Sequence, residues 1–172
     1  GLEKAGLKGV LHLEMDEWAC ETLKANFDKD TVLCADIRNI PDSFIEKHKG
    51  VDVLVGGPPC QGFSVAGGSQ FGIHDPRNEL VLWYLKWVEI TLPKVVVIEN
   101  VPQIFTKKDI NGKTVLDIVK EKLSTLGYTI IPTQLVASDF GVPEIRTRAF
   151  IFCSRENGVE LIPEITHGSR KS

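Results

Sequence analysis

The sequence predicts an α/β fold with a doubly wound, mostly parallel sheet, of the Rossmann-like kind. Short apolar runs alternate with amphipathic segments from residue 9 to residue 126, which is the pattern of strands joined by right-handed helical crossovers. The run at 95–98 is the most β-branched in the chain and is typical of a central strand. The last two apolar runs are separated by about a dozen residues without a helical pattern, so we expect an antiparallel pair at one edge.

The first third of the chain contains three predicted strands and two predicted helices. Residues 1–8 have the composition of a helix end. Asp16 is placed to cap a helix over 17–26, and Pro41 opens a short helix over 41–48. The apolar runs that predict strands are residues 9–13, 31–35 and 51–55.

The rest of the chain opens with a segment that has no periodicity, residues 65–77, which predicts a long functional loop. Helical spacing of apolar residues then predicts helices over 78–90 and 114–126. The predicted strands are residues 95–98, 128–136 and 149–153.

Composition is that of an ordinary soluble globular protein, with 172 residues, 42% hydrophobic and 25% charged. No apolar run is long enough to span a bilayer and no secretory signal is visible, so we expect an intracellular protein, in the cytoplasm or nucleoid of a bacterium or the nucleus of a eukaryote. The four cysteines lack the spacing of a zinc site, and we expect reduced thiols. The net charge of −3 is not typical of a DNA-binding surface.

Four chemically useful residues share a position relative to the predicted strands. Glu14, Asp36, Cys60 and Glu99 each lie at or just after a strand's C-terminal end. In an open parallel sheet these ends lie along one edge, and ligands bind in the crevice outside it. The strand pattern therefore predicts that these side chains face one cleft.

Cys60 lies in the most distinctive stretch, Gly-Gly-Pro-Pro-Cys-Gln-Gly-Phe-Ser at residues 56–64. The two prolines have no N–H to donate, so a sheet ladder cannot continue through them, and the glycines permit a tight turn. The stretch is thus predicted to present one thiol beyond the end of a strand. The alternative is that Cys60 is a small buried apolar filler, the usual role of a free cysteine.

The acids and arginines each have a functional and a structural interpretation. Glu14 is placed to accept ribose hydroxyl hydrogens and Asp36 to accept an adenine amino group; the alternative is that each is a helix cap or a charge at the sheet edge. Glu99 is expected to be partly desolvated and to act as an acid, or else to be bonded to backbone amides. Arg146 and Arg148 point the same way if extended, which suits phosphate or a carbonyl oxygen, or they are an exposed pair.

Several motifs resemble those of the C5-cytosine DNA methyltransferases, in the order in which that family carries them. Residues 56–64 resemble its catalytic cysteine motif, and Glu99-Asn100-Val101 resembles the motif that follows. The segment 144–148 is similar to Gln-x-Arg-x-Arg, although Glu144 stands in the place of the glutamine. Residues 166–168, Thr-His-Gly, resemble a segment that commonly comes next.

This resemblance implies an enzyme that transfers a methyl group from S-adenosylmethionine to C5 of a cytosine flipped out of double-stranded DNA, with S-adenosylhomocysteine as product and no metal. Cys60 would attack C6, Glu99 would bond N3 and the exocyclic amine, and Arg148 would hold O2 and favour the thiolate. Arg146 matches the other arginine of its motif. The residues implied to hold or line the cofactor are Glu14, Met15, Asp36, Ile37, Pro59 and Leu80, and those implied in the substrate loop are Gln61 and Ser64.

The same resemblance implies that parts of the family's catalytic machinery lie outside this sequence. The family's first strand and Gly-rich loop would precede residue 1, and its target-recognition domain would follow residue 172. We therefore expect residues 1–155 to be a partial catalytic domain and 156–172 a polar tail, in a fragment or split enzyme with a complementing polypeptide. The alternatives are a non-catalytic subunit of the same fold and an RNA (tRNA) C5-cytosine methyltransferase; a cysteine hydrolase is less favoured, because no histidine has a clear reason to lie beside Cys60.

Overall fold

The computed structural model describes residues 2–59, 79–108 and 112–168. The chain divides into two compact units, residues 1–44 and 45–172, which are described one at a time. Cys60, Gln61, Ser64 and the predicted loop at 65–77 lie outside the described residues. No helix of the described part is long and apolar enough to cross a membrane.

The N-terminal unit is built on two parallel strands joined by a helix. Strand β1 (His12–Glu14) pairs with β2 (Val32–Cys34), and helix α1 (Glu17–Asn26) connects them. The Asp16 carboxylate accepts a hydrogen bond of 2.9 Å from the Ala19 amide, which confirms the predicted cap. The helix end predicted at residues 1–8 is only a single 3-10 turn, Glu3–Ala5.

A disulfide joins Cys20 of α1 to Cys34 at the end of β2, so the prediction of reduced thiols is wrong for this pair. The two Cα atoms are 5.8 Å apart, although the residues are separated by 14 positions in the chain. No short motif signals this pairing, because only the return of α1 across β2 brings the two side chains together.

The second unit contains a four-stranded sheet in the order β3-β4-β6-β5. Strands β3 and β4 are parallel, whereas β6 is antiparallel to both β4 and β5. The predicted antiparallel pair at one edge is thereby confirmed, with β5 outermost. The strands are β3 (Val53–Gly56), β4 (Val95–Asn100), β5 (Thr129–Val136) and β6 (Thr147–Ser154), and the helices are α2 (Asp42–Ile45), which spans the boundary between the units in sequence, α3 (Glu79–Thr91) and α4 (Val115–Ser124).

The core of the second unit lies between this sheet and the helices. Strand β4 alternates half-buried and buried positions, as expected for a strand with one face on the core. Cys153 of β6 is fully buried, and its burial raises the pKa of its thiol to about 12, so it acts as an apolar filler. The other fully buried side chains include Val81, Leu85 and Val88 of α3, Val96 and Ile98 of β4, Val115, Val119 and Leu123 of α4, and Ile151 of β6.

The end of β3 is fixed by a close approach between Gly56 and Tyr84 of α3. A Cβ on Gly56 would lie 2.3 Å from the Tyr84 ring, so no larger residue fits there without rearrangement. The Tyr84 hydroxyl lies 3.2 Å from the carbonyl oxygens of both Leu54 and Val97, which belong to β3 and β4. The chain therefore leaves β3 from a well-defined point, directly before the Gly-Pro-Pro turn that leads to Cys60.

Candidate active site

Glu99 and Arg148 form an ion pair at the end of the second unit's sheet. Glu99 lies near the end of β4 and Arg148 near the start of β6, and the antiparallel register places Asn100 opposite Ala149. Arg148 Nε is 3.1 Å from Glu99 Oε1, and Arg148 Nη1 donates to its neighbour's carbonyl, Thr147 O, at 2.8 Å. The carboxyl and guanidinium that the sequence places 49 positions apart are thus direct neighbours.

Glu99 is half-buried and paired with a guanidinium. Its side chain is 42% exposed and that of Arg148 is 25% exposed. A Cβ on Gly57 would lie 3.3 Å from Glu99 Oε2 and 3.3 Å from its carbonyl oxygen. Glycine at 57 therefore lets the turn before Cys60 pass close to this carboxylate.

Asn100 ties that turn to the end of β4, a role that the sequence analysis did not assign. Asn100 is buried. Its Nδ2 donates a hydrogen bond of 2.8 Å to Pro58 O, which lies 42 positions earlier in the chain. Its Oδ1 accepts a 2.9 Å bond from the Val101 amide. The signal in the sequence was a polar residue directly after Glu99 on an otherwise apolar strand.

Arg146 pairs with Glu144, whereas Arg148 pairs with Glu99. Arg146 precedes β6 in an exposed segment, and its Nη1 is 3.7 Å from Glu144 Oε1. Glu144 stands where the family motif has glutamine, so the departure from the motif introduces a charge that pairs with this arginine. Ile145, between them, is 90% exposed.

The segment that carries the two arginines, residues 141–148, contacts residues 166–168 where it begins. The Asp139 carbonyl accepts hydrogen bonds from the Thr166 amide at 3.0 Å and the His167 amide at 2.9 Å. Gly141 has φ +83° and a Cβ there would lie 2.8 Å from the His167 ring. The Thr-His-Gly segment noted in the sequence therefore packs against the start of the arginine segment.

In the N-terminal unit, Glu14 combines a structural role with an open oxygen. Its Oε1 accepts hydrogen bonds from the Met15 amide at 2.7 Å and the Asp16 amide at 3.0 Å, as expected if Glu14 caps backbone amides near the start of α1. Its Oε2 has no partner among the described residues of this unit. Met15, beside it, is 58% exposed and offers an apolar surface.

Asp36 follows β2 and is held by Arg38. Its Oδ1 accepts the Arg38 amide at 2.9 Å, and the Arg38 guanidinium contacts both carboxylate oxygens. The side-chain hydrogen bond from Arg38, reinforced by the backbone one, lowers the pKa of Asp36. Among the other predicted cofactor residues, Ile37 begins a 3-10 turn and is half-buried, Pro59 is exposed, and Leu80 is half-buried on α3.

No group of three or more metal-ligating side chains occurs within residues 2–59, 79–108 and 112–168.

A comparison of the sequence against protein families shows which family the chain matches. The family described as C-5 cytosine-specific DNA methylase matches residues 1–171. The chain belongs to this family. The resemblance noted in the motifs therefore extends over almost the whole sequence of this C-5 cytosine methylase chain.

Known relatives of this methylase chain are type II methyltransferases. It is 40% identical over 173 residues to M1.HphI of Haemophilus parahaemolyticus, covering 97% of this chain and 45% of that protein. It is 36% identical over 180 residues to M.AquIA of Picosynechococcus, covering 98% of this chain and 71% of that one. Its fold matches the crystal structure of S. pombe Dnmt2 methyltransferase with a TM-score of 0.74 at 22% identity, covering 92% of this chain and 48% of that one.

Proposed function

We propose that this methylase chain takes part in transferring a methyl group from S-adenosylmethionine to C5 of a cytosine flipped out of DNA. The observation that carries the proposal is the Glu99–Arg148 pair, at 3.1 Å, beside a turn that Asn100 fixes two residues before Cys60. A carboxylate and a guanidinium side by side match the two polar edges of cytosine: the carboxylate accepts from the exocyclic amine and from N3 once N3 is protonated, and the guanidinium donates to O2. The target base has to leave the duplex stack, because its reacting carbons are not accessible within it.

In this proposal Cys60 is the nucleophile that attacks cytosine C6. A thiol reacts as its thiolate, and the positive charge of Arg148 favours that form. Glu99 bonds the N3 edge of the ring and lets electron density gather at C5. Loss of the C5 proton after methylation restores the ring and expels Cys60. Gln61 and Ser64 are proposed substrate residues, and the predicted loop at 65–77 would close over the base.

The N-terminal unit offers groups that fit the adenosine part of S-adenosylmethionine, which supplies the methyl group when bound. Glu14 Oε2 is open to accept hydrogens from ribose hydroxyls, since Oε1 takes both amide bonds. The Asp36 carboxylate is a fixed acceptor for an exocyclic amine, and exposed Met15 offers apolar contact. The contributions of Ile37, Pro59 and Leu80 stay predictions from the sequence.

The test is methyl transfer to double-stranded DNA and to tRNA, measured with the chain expressed from its complete reading frame. Cys60→Ser should abolish transfer, and Glu99→Gln should lower kcat about a hundredfold or more. Glu121→Gln, which changes an exposed carboxylate on α4 in the same way, should retain activity. Transfer to tRNA alone would favour the RNA alternative, and no transfer to either would favour a non-catalytic subunit.

A further inference from the structure

The C-terminal ends of β1 and β2 are adjacent in the N-terminal unit, and the Cys20–Cys34 disulfide lies beside them. The Glu14 carbonyl oxygen accepts a 2.8 Å hydrogen bond from the Ala35 amide. The Cys20 sulfur lies 3.5 Å from the same oxygen and is bonded to Cys34. Asp36 is two residues further along. The disulfide thus links α1, the helix that follows Glu14, to the end of β2, which precedes Asp36.

We propose that Cys20 and Cys34 form a reversible thiol–disulfide site that sets how firmly the ends of β1 and β2 are joined. The consequence for cofactor binding rests on the proposed function, because it depends on Glu14 and Asp36 holding S-adenosylmethionine. The site itself depends only on the geometry of the N-terminal unit.

The two cysteine residues differ in exposure, which favours Cys34 as the first of the two to react. Cys20 is 1% exposed, whereas Cys34 is an exposed residue at the end of its strand. A thiol or disulfide from solution therefore reaches Cys34 first. The sequence predicts an intracellular protein, and disulfides in such compartments are usually transient rather than structural.

A low-molecular-weight disulfide such as oxidised glutathione supplies the oxidant. The Cys34 thiolate attacks one of its sulfurs, the S–S bond breaks, and one glutathione leaves as a thiolate with the electron pair. The Cys20 thiolate then attacks the Cys34 sulfur and expels the second glutathione. Two cysteine thiols are oxidised, one glutathione disulfide is reduced to two thiols, and the two cysteine protons end on them.

The two redox states hold the Glu14–Ala35 hydrogen bond differently. In the oxidised state a covalent link from α1 to β2 closes the loop around it. In the reduced state the Cys20 thiol is left with only a weak hydrogen bond to the Glu14 carbonyl. The Ala35 amide is therefore expected to open, and to exchange its hydrogen, more often when the pair is reduced.

The experiment compares the oxidised and reduced chain in a Cys60→Ser background, so that buried Cys153 is the one cysteine left besides the pair. Samples are equilibrated in glutathione buffers of graded ratio, quenched by alkylation and analysed by peptide mass spectrometry for the Cys20–Cys34 link. Hydrogen exchange of Ala35 and the unfolding midpoint are then measured in both states. Cys20→Ser and Cys34→Ser are the matched controls.

We expect the link to form and disappear reversibly as the glutathione ratio changes. We expect Ala35 to exchange about tenfold more slowly, and unfolding to shift up by about 5–10 °C, in the oxidised state. Neither serine variant should show these changes. Failure to form the link at any ratio, a link that no ratio reduces, or equal Ala35 exchange in the two states would each overturn the inference.

Binding of S-adenosylhomocysteine, measured on the chain expressed from its complete reading frame, separates this inference from the proposed function. We expect the oxidised state to bind it about threefold to tenfold more tightly, because the two acids are then better preorganised. Absence of binding in both states would contradict the proposed function, whereas the exchange of Ala35 would still decide whether the pair acts as proposed. Binding of equal strength in both states would overturn the link to the cofactor.

Discussion

Truncating Asn100 tests whether its amide holds the turn that leads to Cys60. Asn100→Ala removes the 2.8 Å hydrogen bond to Pro58 O and the 2.9 Å bond from the Val101 amide. Pro58 is buried, so its carbonyl loses its Asn100 partner where water has little access. Leaving a buried acceptor unpaired costs about 1–3 kcal/mol, whereas Val101 is partly exposed and can bond water. We therefore expect unfolding to become easier by about 2 kcal/mol.

The assay is urea unfolding followed by the fluorescence of Trp83 and Trp87, which lie on α3 in the same unit. Asn157→Ala is the matched control, because it truncates an exposed asparagine of that unit and should cost less than about 0.5 kcal/mol. Asn100→Asp keeps the size and the acceptor but replaces the donor that faces Pro58 O, so it should destabilise at least as much as alanine.

The effect on catalysis should follow from the same bond. Because Pro58 precedes Cys60 by two residues, loss of the tie should lower kcat by about tenfold or more without a matching change in cofactor affinity. An unfolding free energy for Asn100→Ala within about 0.5 kcal/mol of the wild type, or full tolerance of aspartate, would refute the role given to this amide.

Three further predictions concern an exposed ion pair, a helix cap and a pH dependence. Glu144→Gln removes the carboxylate 3.7 Å from Arg146 and should tighten DNA binding about twofold to fivefold at low salt, with Glu160→Gln unchanged in a filter-binding assay; weaker binding would contradict it. Thr114→Ala breaks the capping box of α4 and should cost about 1 kcal/mol in urea unfolding, and a loss below about 0.3 kcal/mol would contradict the box. The lowered pKa of Asp36 contributes stability above the usual aspartate pKa that is lost as the pH falls through the lowered value. The stability difference between wild type and Arg38→Ala should therefore be full at about pH 6, begin to shrink near about pH 4, and be lost below the lowered pKa of Asp36; a difference independent of pH would exclude the pairing.

Much of the fold follows from the sequence because local signals and tertiary packing agree. The β-branched run at 95–98 forms β4 with two further residues, and the apolar spacing over 114–126 gives α4 with its cap at Thr114. The antiparallel edge pair was predictable because the connection between its strands carries no helical pattern. The helix end predicted at residues 1–8 was wrong because so short a segment, with two glycines, does not by itself nucleate a helix.

The contacts that define the site were less predictable, because they depend on pairs far apart in the chain. Strand positions brought Glu99 and Arg148 into consideration, but their contact arises from the antiparallel register of β4 and β6. The Asn100–Pro58 bond and the Cys20–Cys34 link depend on how the chain returns on itself, which no local spacing reveals. The convergence of Glu14 and Asp36 with Glu99 stays a prediction.

Covalent trapping tests the central claim most directly. Double-stranded DNA containing 5-fluorocytosine is incubated with S-adenosylmethionine and the chain expressed from its complete reading frame, and the product is digested for mass spectrometry. The fluorine at C5 cannot leave as a proton does, so the enzyme should stay attached to the base. We predict a methylated adduct at Cys60 that forms more slowly in Arg148→Ala and Glu99→Gln. An adduct at another residue, or methylation of normal DNA without any trapped adduct, would contradict the account.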